Sequence, residues 1–435
     1  MKVISLFSGA GGMDLGFIEA GFEIVWANDF DIDACNTYRK NIKDHIVHGD
    51  ITKIKSKKII HDIFNGDYTK FLKEKKLKEE SNFELDELKD DDISYEKANI
   101  DVIIGGFPCQ GFSVANTKRS IEDERNFLYK EMLRVINDFK PKYFVAENVK
   151  GILSLHKGKV FDLIQKDFKK LGYNLEAKLL NSADYGVPQQ RERVIILGNR
   201  IGNKIIFPKK THIHHDKYDG KGKKYVSTKD VLHELYDLDT VERNTDQRIK
   251  LNDKIIHNHI AYTNVDSKFW GRKHKIDQAE ICDYLKEWRN KKGISTKKID
   301  EYFGYAHTAG HWFRKDNKSG SIPKPSDWWK LKELLGFCDK YDSKVTEFVE
   351  KEIKFEQSLR IANWDTPSDT ITASTPEIHP NKHRRLSVRE CARIQTFPDT
   401  FIFTGSLSSQ HRQVGNAVPP LLANQIAKEI KKLIK

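Results

Sequence analysis

What most constrains this chain is where its β-branched runs fall. Over residues 1–199, and again over 386–435, short Val- and Ile-rich runs alternate with helical stretches. That alternation is the pattern of successive βα units on a mostly parallel sheet. Residues 200–385 break the rhythm. They hold 37 Lys and Arg against 28 Asp and Glu, so most of the chain's net charge of +12 lies there. Six of the seven tryptophans lie there too: Trp270, Trp288, Trp312, Trp328, Trp329 and Trp364. The expectation is one α/β domain built from 1–199 plus 386–435, with a smaller, basic and aromatic-rich domain at 200–385 inserted between its halves. Within the first half, 23 of the 47 residues at 53–99 are Lys, Asp or Glu. That stretch reads as a solvated surface insertion, helical near Tyr68–Glu80 and loose near Asp90–Asp92.

Composition narrows the class. At 435 residues, with 38% hydrophobic and 32% charged residues, the chain can bury a sizeable core and is neither wholly disordered nor fibrous. No apolar run approaches the ~18 residues of a membrane span. The opening MKVISLFSGAGG has one lysine and then glycines, without a secretory apolar region, so a cytoplasmic location is expected. Five cysteines stand apart at Cys35, Cys109, Cys282, Cys338 and Cys391. None forms a CxxC pair, so neither a zinc site nor a disulfide framework is expected. The positive balance suits a polyanionic partner such as nucleic acid, and equally a lysine-rich solvated surface.

Five blocks carry chemistry. In VISLFSGAGGMDLG, Val3–Phe7 reads as a buried strand, Gly9, Gly11 and Gly12 as a tight turn, and a helix starts near Met13. Such a turn lets backbone amides approach a ligand. Asp29 ends the next strand twenty residues after Gly9, the spacing at which a carboxylate meets a ribose hydroxyl pair. The glycines do not spell GxGxxG, which weakens a nicotinamide dehydrogenase; a purely structural turn stays open. In DVIIGGFPCQGFS, a strand at Val102–Ile104 leads into a loop that presents Cys109, either a nucleophile or a small buried apolar group. In YFVAENV, Glu147 follows a strand, as a general acid or as a loop acid. In DYGVPQQRERVIILG, strand alternation puts Arg191 and Arg193 on one face, for planar carbonyls or phosphates or as an ion-pair ladder. RECARIQTFPD and HRQVGNAVPP precede a closing helix, Leu421–Ile434.

Taken together, in this order, the blocks resemble the DNA cytosine-5 methyltransferases. FSGAGG, Asp29, GDI at Gly49–Ile51, the PCQ loop at Pro108–Gln110, ENV at Glu147–Val149, QxRxR at Gln189–Arg193 and GNAVPP match the family's motifs over about 250 residues at the two ends. The resemblance implies a Rossmann-like, S-adenosylmethionine-dependent fold and methyl transfer to C5 of a flipped-out cytosine in duplex DNA. It makes Cys109 the nucleophile at C6 and Glu147 the proton donor to N3, with Arg193 at the base O2 and Arg191 beside it. For S-adenosylmethionine it implies Phe7, Gly9, Gly11 and Gly12 at the methionine end, and Asp29 on the ribose. Phe30, Asp50 and Ile51 would meet the adenine, Pro108 and Leu128 line the pocket, and Asn416 and Ala417 close it. No metal is implied, and the histidines show no HExxH spacing. The long 53–99 departs from the compact family pattern.

The resemblance places a target-recognition domain at 200–385. There, Ile281, Leu285 and Trp288 fall at helical spacing up to Gly293, and Ser295 starts a second helix that ends at Gly304. This reads as a helix-turn-helix, with His307, Thr308, His311 and Arg314 reaching DNA, or as small helices packing around Trp312. Family habit suggests a monomeric modification enzyme paired with a restriction endonuclease. The rivals are an RNA (transfer RNA) cytosine-5 methyltransferase and a non-catalytic DNA-binding relative.

Overall fold

The computed structural model describes residues 1–65, 93–108, 128–218, 220, 222–236, 238–241, 248–262, 278–304, 312–313, 322–346, 361–374, 376–380 and 384–434. Contacts divide the chain into two compact units. One comprises Met1–Ile260, Thr366–Ser374 and Val388–Lys435, the other Ala261–Asp365 and Thr375–Ser387.

The first unit opens as β1 (Lys2–Leu6), α1 (Gly12–Glu19), β2 (Glu23–Asp29), α2 (Ile32–Asn41), β3 (Ile46–His48) and α3 (Ser56–Ile63). It continues as β4 (Val102–Gly105), α4 (Leu128–Phe139), β5 (Tyr143–Val149), α5 (Lys159–Lys170), β6 (Asn174–Asn181) and β7 (Glu192–Asn199). The seven strands form one sheet in the order β3-β2-β1-β4-β5-β7-β6. All neighbours are parallel except β7, which runs antiparallel to both β5 and β6. The order reverses between β1 and β4, and in an open α/β sheet a ligand binds at the strand ends of such a switch point.

After β7 the chain stays with this unit to Ile260 and forms α6 (Thr228–Leu232), begun by a Ser227–Asp230 capping box. A hairpin follows, Arg248–Leu251 with Lys254–His257, turned at Asn252 and Asp253, both at positive φ. The expected division at 199/200 and 385/386 is therefore drawn differently by the contacts. Ile205 and Phe207 are buried in the sheet's core, and the Asn258 side chain bonds both N–H and C=O of Phe403. Ser368 pairs with Pro188 and Gln190 through its backbone. These are long-range contacts that composition does not register.

The second unit contains α7 (Gln278–Lys291), α8 (Thr296–Phe303), α9 (Pro325–Leu335) and α10 (Asp342–Thr346). Ser295 caps α8 by accepting from Lys298 N–H, and Gly304 ends it at φ 75. Ile281, Leu285, Ile299, Trp312 and Trp328 share one core. Tyr302 of α8 is exposed.

The chain returns to the first unit as α11 (Val388–Ile394), α12 (Leu407–Asn416) and α13 (Pro420–Ile434). The sheet is apolar on both faces, as parallel sheets are. Ile4, Ile103, Phe144 and Ala146 pack toward Ile59, Met132 and Ile164; the alternate residues Val3, Val102, Ile104 and Val145 pack toward Phe17, Tyr38 and Ile426. The reading of 53–99 as a surface excursion fails at both ends. Ile59, Ile60, Ile93 and Ala98 are buried in the core; α3 turns Ile59 and Ile60 inward together with Ser56 and Lys57, and leaves Lys58 outside. Tyr68–Glu80 and Asp90–Asp92 lie outside the described residues. Among the described residues no helix is long and apolar enough to cross a membrane.

Candidate active site and cofactor cleft

A cleft of about 1020 Å³ opens at the carboxyl ends of β1, β2, β4 and β5. Every residue expected to hold the cofactor lines it except Gly11. Gly11 shapes the turn instead. Its φ is 92, it precedes α1, and a Cβ there would fall 2.4 Å from Ile42 Cδ1.

The wall follows from the strand order. Asp29 ends β2 beside the β1 turn, and its carboxylate accepts from Gly9 N–H at 2.7 Å and Asp31 N–H at 2.8 Å. Burial raises its pKa against those two bonds. Asp50 accepts from Thr52 N–H, and Phe30 stands 77% exposed on the rim, an aromatic face open to a planar ligand. The acids Asp14, Asp29 and Asp50 belong to the β1–β3 half of the cleft, while Arg191 and Arg193 come from β7 and the turn before it. The acidic half, with an exposed ring and Gly9 open to approach, fits S-adenosylmethionine, a cation with an adenine.

At the other half, Arg193 Nε lies 2.9 Å from Glu147 Oε1, with both side chains almost buried. Arg193 Nη1 donates to the Glu192 carbonyl, which leaves Nη2 without a partner among the described residues. Glu147 Oε2 faces Gly106, where a Cβ would lie 2.9 Å away. Burial raises the Glu147 pKa, opposed first by Arg193 and then by Arg191. Burial thus favours the protonated acid that proton donation needs. Asn148 Nδ2 donates to the Phe107 carbonyl at 2.9 Å and fixes the chain that leads into Pro108 and Cys109. Cys109 lies outside the described residues, as do His307, Thr308, His311 and Arg314.

Arg191 does different work from that expected. Although it lines the cleft, its Nη1 donates to the Ile371 carbonyl at 3.1 Å and its Nη2 to the Gly415 carbonyl at 2.9 Å. It braces the wall that carries Asn416 and Ala417. Gln189 and Gln395 extend the brace: Gln189 Nε2 donates to Gln395 Oε1, Gln189 Oε1 accepts from Ile371 N–H, and Gln395 Nε2 donates to the Val414 carbonyl. Sequence reasoning missed this function of Gln395. It missed Asp14 and Arg412 as lining residues too, although an acid within the apolar first turn of α1 was a visible signal for Asp14.

Comparison with known proteins agrees with the geometry. The family model of C-5 cytosine-specific DNA methylases matches residues 1–68 and 67–432. The Type II methyltransferase M.AgeI of Thalassovita gelatinovora is 30% identical over 464 residues, covering 99% of each chain. M.FnuDI of Fusobacterium nucleatum, also a Type II methyltransferase, is 32% identical over 440 residues, covering 100% of this chain and 95% of its own. An Escherichia coli prophage protein described as a DNA modification methyltransferase shares the fold, with a TM-score of 0.57 at 23% identity, covering 100% of this chain and 99% of that one. The chain belongs to the C-5 cytosine-specific DNA methylase family, and is an S-adenosylmethionine-dependent DNA cytosine-5 methyltransferase.

Proposed function

We propose that this enzyme is the modification partner of a restriction endonuclease, a cytoplasmic monomer that methylates one cytosine within a short duplex sequence. In this reading Cys109 is the nucleophile, Glu147 the acid at N3, Arg193 the holder of O2, and residues 200–385 the part that selects the sequence. One observation carries the chemistry: the buried Glu147–Arg193 pair, set across the cleft from the acidic half, keeps one carboxylate oxygen and one guanidinium nitrogen free of other partners among the described residues. The Type II methyltransferase relatives support the modification role, and the basic, tryptophan-rich character of 200–385 supports DNA contact there.

The roles follow from the base. C5 of cytosine is a poor nucleophile while the ring is aromatic. The Cys109 thiolate adds to C6, the C5–C6 double bond opens, and its electron pair moves onto C5. Glu147 gives its proton to N3 as charge develops there, and Arg193 steadies O2. S-adenosylmethionine, when bound, supplies an electrophilic methyl that C5 takes. Loss of the C5 proton to a base restores the double bond and expels Cys109, and the N3 proton returns to Glu147. Attack at C6 and methylation at C5 need the faces of the ring that stacking covers, so the cytosine must leave the helix.

Bisulfite sequencing of DNA from a host expressing the gene tests the reading. The expected result is cytosines protected at one short duplex sequence, and no protection with Cys109→Ser, whose hydroxyl is far less ionised. Absence of any protected sequence, or methylation of transfer RNA and not of duplex DNA, would overturn it.

A further inference from the structure

Asp14 lies in the first turn of α1, fully buried, on the wall of the cofactor cleft. Ser5 Oγ donates to its Oδ2 and Tyr38 Oη to its Oδ1, each at 2.9 Å. Behind them, Ser8 Oγ lies 3.0 Å from Ser5 Oγ, and His45 Nε2 lies 2.9 Å from Tyr38 Oη. Because the Tyr38 proton is spent on Asp14, His45 has to donate, which puts its proton on Nε2. Two chains of donors therefore converge on one carboxylate, an arrangement that favours its charged form. Among the described residues no cation makes an ion pair with it; its electrostatic neighbour is another acid, Asp29. A buried charge held by neutral donors is costly to keep, and the chemistry at Glu147 does not use it. What would offset the cost is a positive charge arriving in the cleft.

We propose that Asp14 is the counter-charge for the sulfonium of S-adenosylmethionine, so that the cleft prefers this cation to its neutral thioether product, S-adenosylhomocysteine. The inference rests on the reading that this cleft holds the cofactor. Methyl transfer turns the sulfonium into a thioether, which removes the attraction, so turnover itself loosens the product. The two ligands share their adenosine and amino-acid parts, so the ratio of their affinities isolates the charge.

Proton linkage gives that ratio a pH dependence. The titratable groups facing Asp14 are Asp29 from β2, Tyr38 from α2 and, through Tyr38, His45; Cys35 lies against Asp29. Burial keeps Tyr38 and Cys35 protonated, and keeps His45 neutral by lowering it to about 4. Asp29 would act on the ribose, which both ligands carry. Asp14, pushed up to about 6 by burial, is charged above that pH and neutral below it. The preference is therefore present at neutral pH and fades as pH falls through about 6.

Titration calorimetry of the full chain with each ligand, near pH 5 and near pH 7.5, tests this. The preference for S-adenosylmethionine should grow on the order of tenfold between those pH values, as one charge pair in a protein interior implies. Binding S-adenosylmethionine near pH 6 should release protons, read from the dependence of heat on buffer ionisation, and S-adenosylhomocysteine should release none. Asp14→Asn should show a low preference that does not change with pH. If that variant does not fold, the wild-type pH dependence and proton release decide alone: a flat ratio with no release overturns the inference, as does a folded Asp14→Asn that keeps the wild-type ratio. Asp29→Ala separates the two levels. Undiminished affinity for both ligands would sink the cleft reading itself, whereas weakening of both, beside an unchanged ratio in Asp14→Asn, would sink only the counter-charge.

Discussion

Gly106 sits just past β4, where a Cβ would fall 2.9 Å from Glu147 Oε2, closer than non-bonded carbon and oxygen approach. In Gly106→Ala something must move by a few tenths of an ångström or more. The side chain yields more easily than the strand, because Gly106 follows a fully buried β4 paired to β1 and β5, whereas the carboxylate is the far end of a rotatable chain. The Arg193 contact at 2.9 Å then lengthens or turns, and the carboxyl leaves the place from which the proposed mechanism has it protonate N3. Displacement of a positioned group by about 1 Å costs on the order of 10²-fold, and general-acid help is worth ~10²–10⁴, so kcat should fall roughly 10- to 100-fold. Cofactor and DNA affinities should change little, and the unfolding temperature should fall by a few degrees at most. Single-turnover methyl transfer from labelled S-adenosylmethionine to a methylatable duplex reads the chemical step, with Glu147→Gln as the reference for a lost proton. Wild-type turnover in a folded Gly106→Ala would refute the argument, since it would mean that the acid's position does not limit the rate.

Asp29→Ala should raise the cofactor dissociation constant about tenfold or more while sparing DNA affinity, because it removes the proposed ribose acceptor and the clamp on Gly9 and Asp31 N–H; calorimetry with and without duplex checks it. Gly415→Ala places a Cβ 2.4 Å from the Thr372 carbonyl, a backbone contact that cannot swing aside, so thermal unfolding should show a loss of about 1–3 kcal/mol. Arg314→Ala, if Arg314 reads guanine, should cost ~1–3 kcal/mol in specific binding and relax one position of the methylated sequence; uniform weakening on all DNA would make it a phosphate contact.

How much of this was legible in the sequence depends on how far apart the partners lie. The β1 turn, Asp29 and the strand ends at Val102 and Tyr143 were readable because each rests on a local pattern of apolar residues and glycines. The Ser295 cap and the Gly304 stop were readable for the same reason. Arg191 was not. Strand alternation set it beside Arg193, but its acceptors, the Ile371 and Gly415 carbonyls, are 180 and 224 residues away. Nor was the burial of Ile59 and Ile60 legible amid a run of charges, where composition outweighed a short amphipathic helix.

The same long-range bonds explain how the fold carries a large insertion without disturbing its chemistry. Val388 N–H donates to the Ile260 carbonyl at 2.9 Å and Arg389 N–H to the Asn258 carbonyl at 3.0 Å. The chain thus leaves the first unit after Ile260 and makes its last return, at Val388, at an adjacent point, having rejoined the unit in between at Thr366–Ser374. From there the braces of Gln395 and Arg191 carry the returning segment to the glycine turn, where a Cβ on Gly12 would already strike the Val418 carbonyl at 2.6 Å. A cofactor wall built from both chain ends in this way is fixed by backbone carbonyls, which any sequence supplies. The inserted residues are then free to differ in length and composition, provided that their two ends close onto Ile260 and Val388 and that Thr366–Ser374 still meets Arg191 and Gln189.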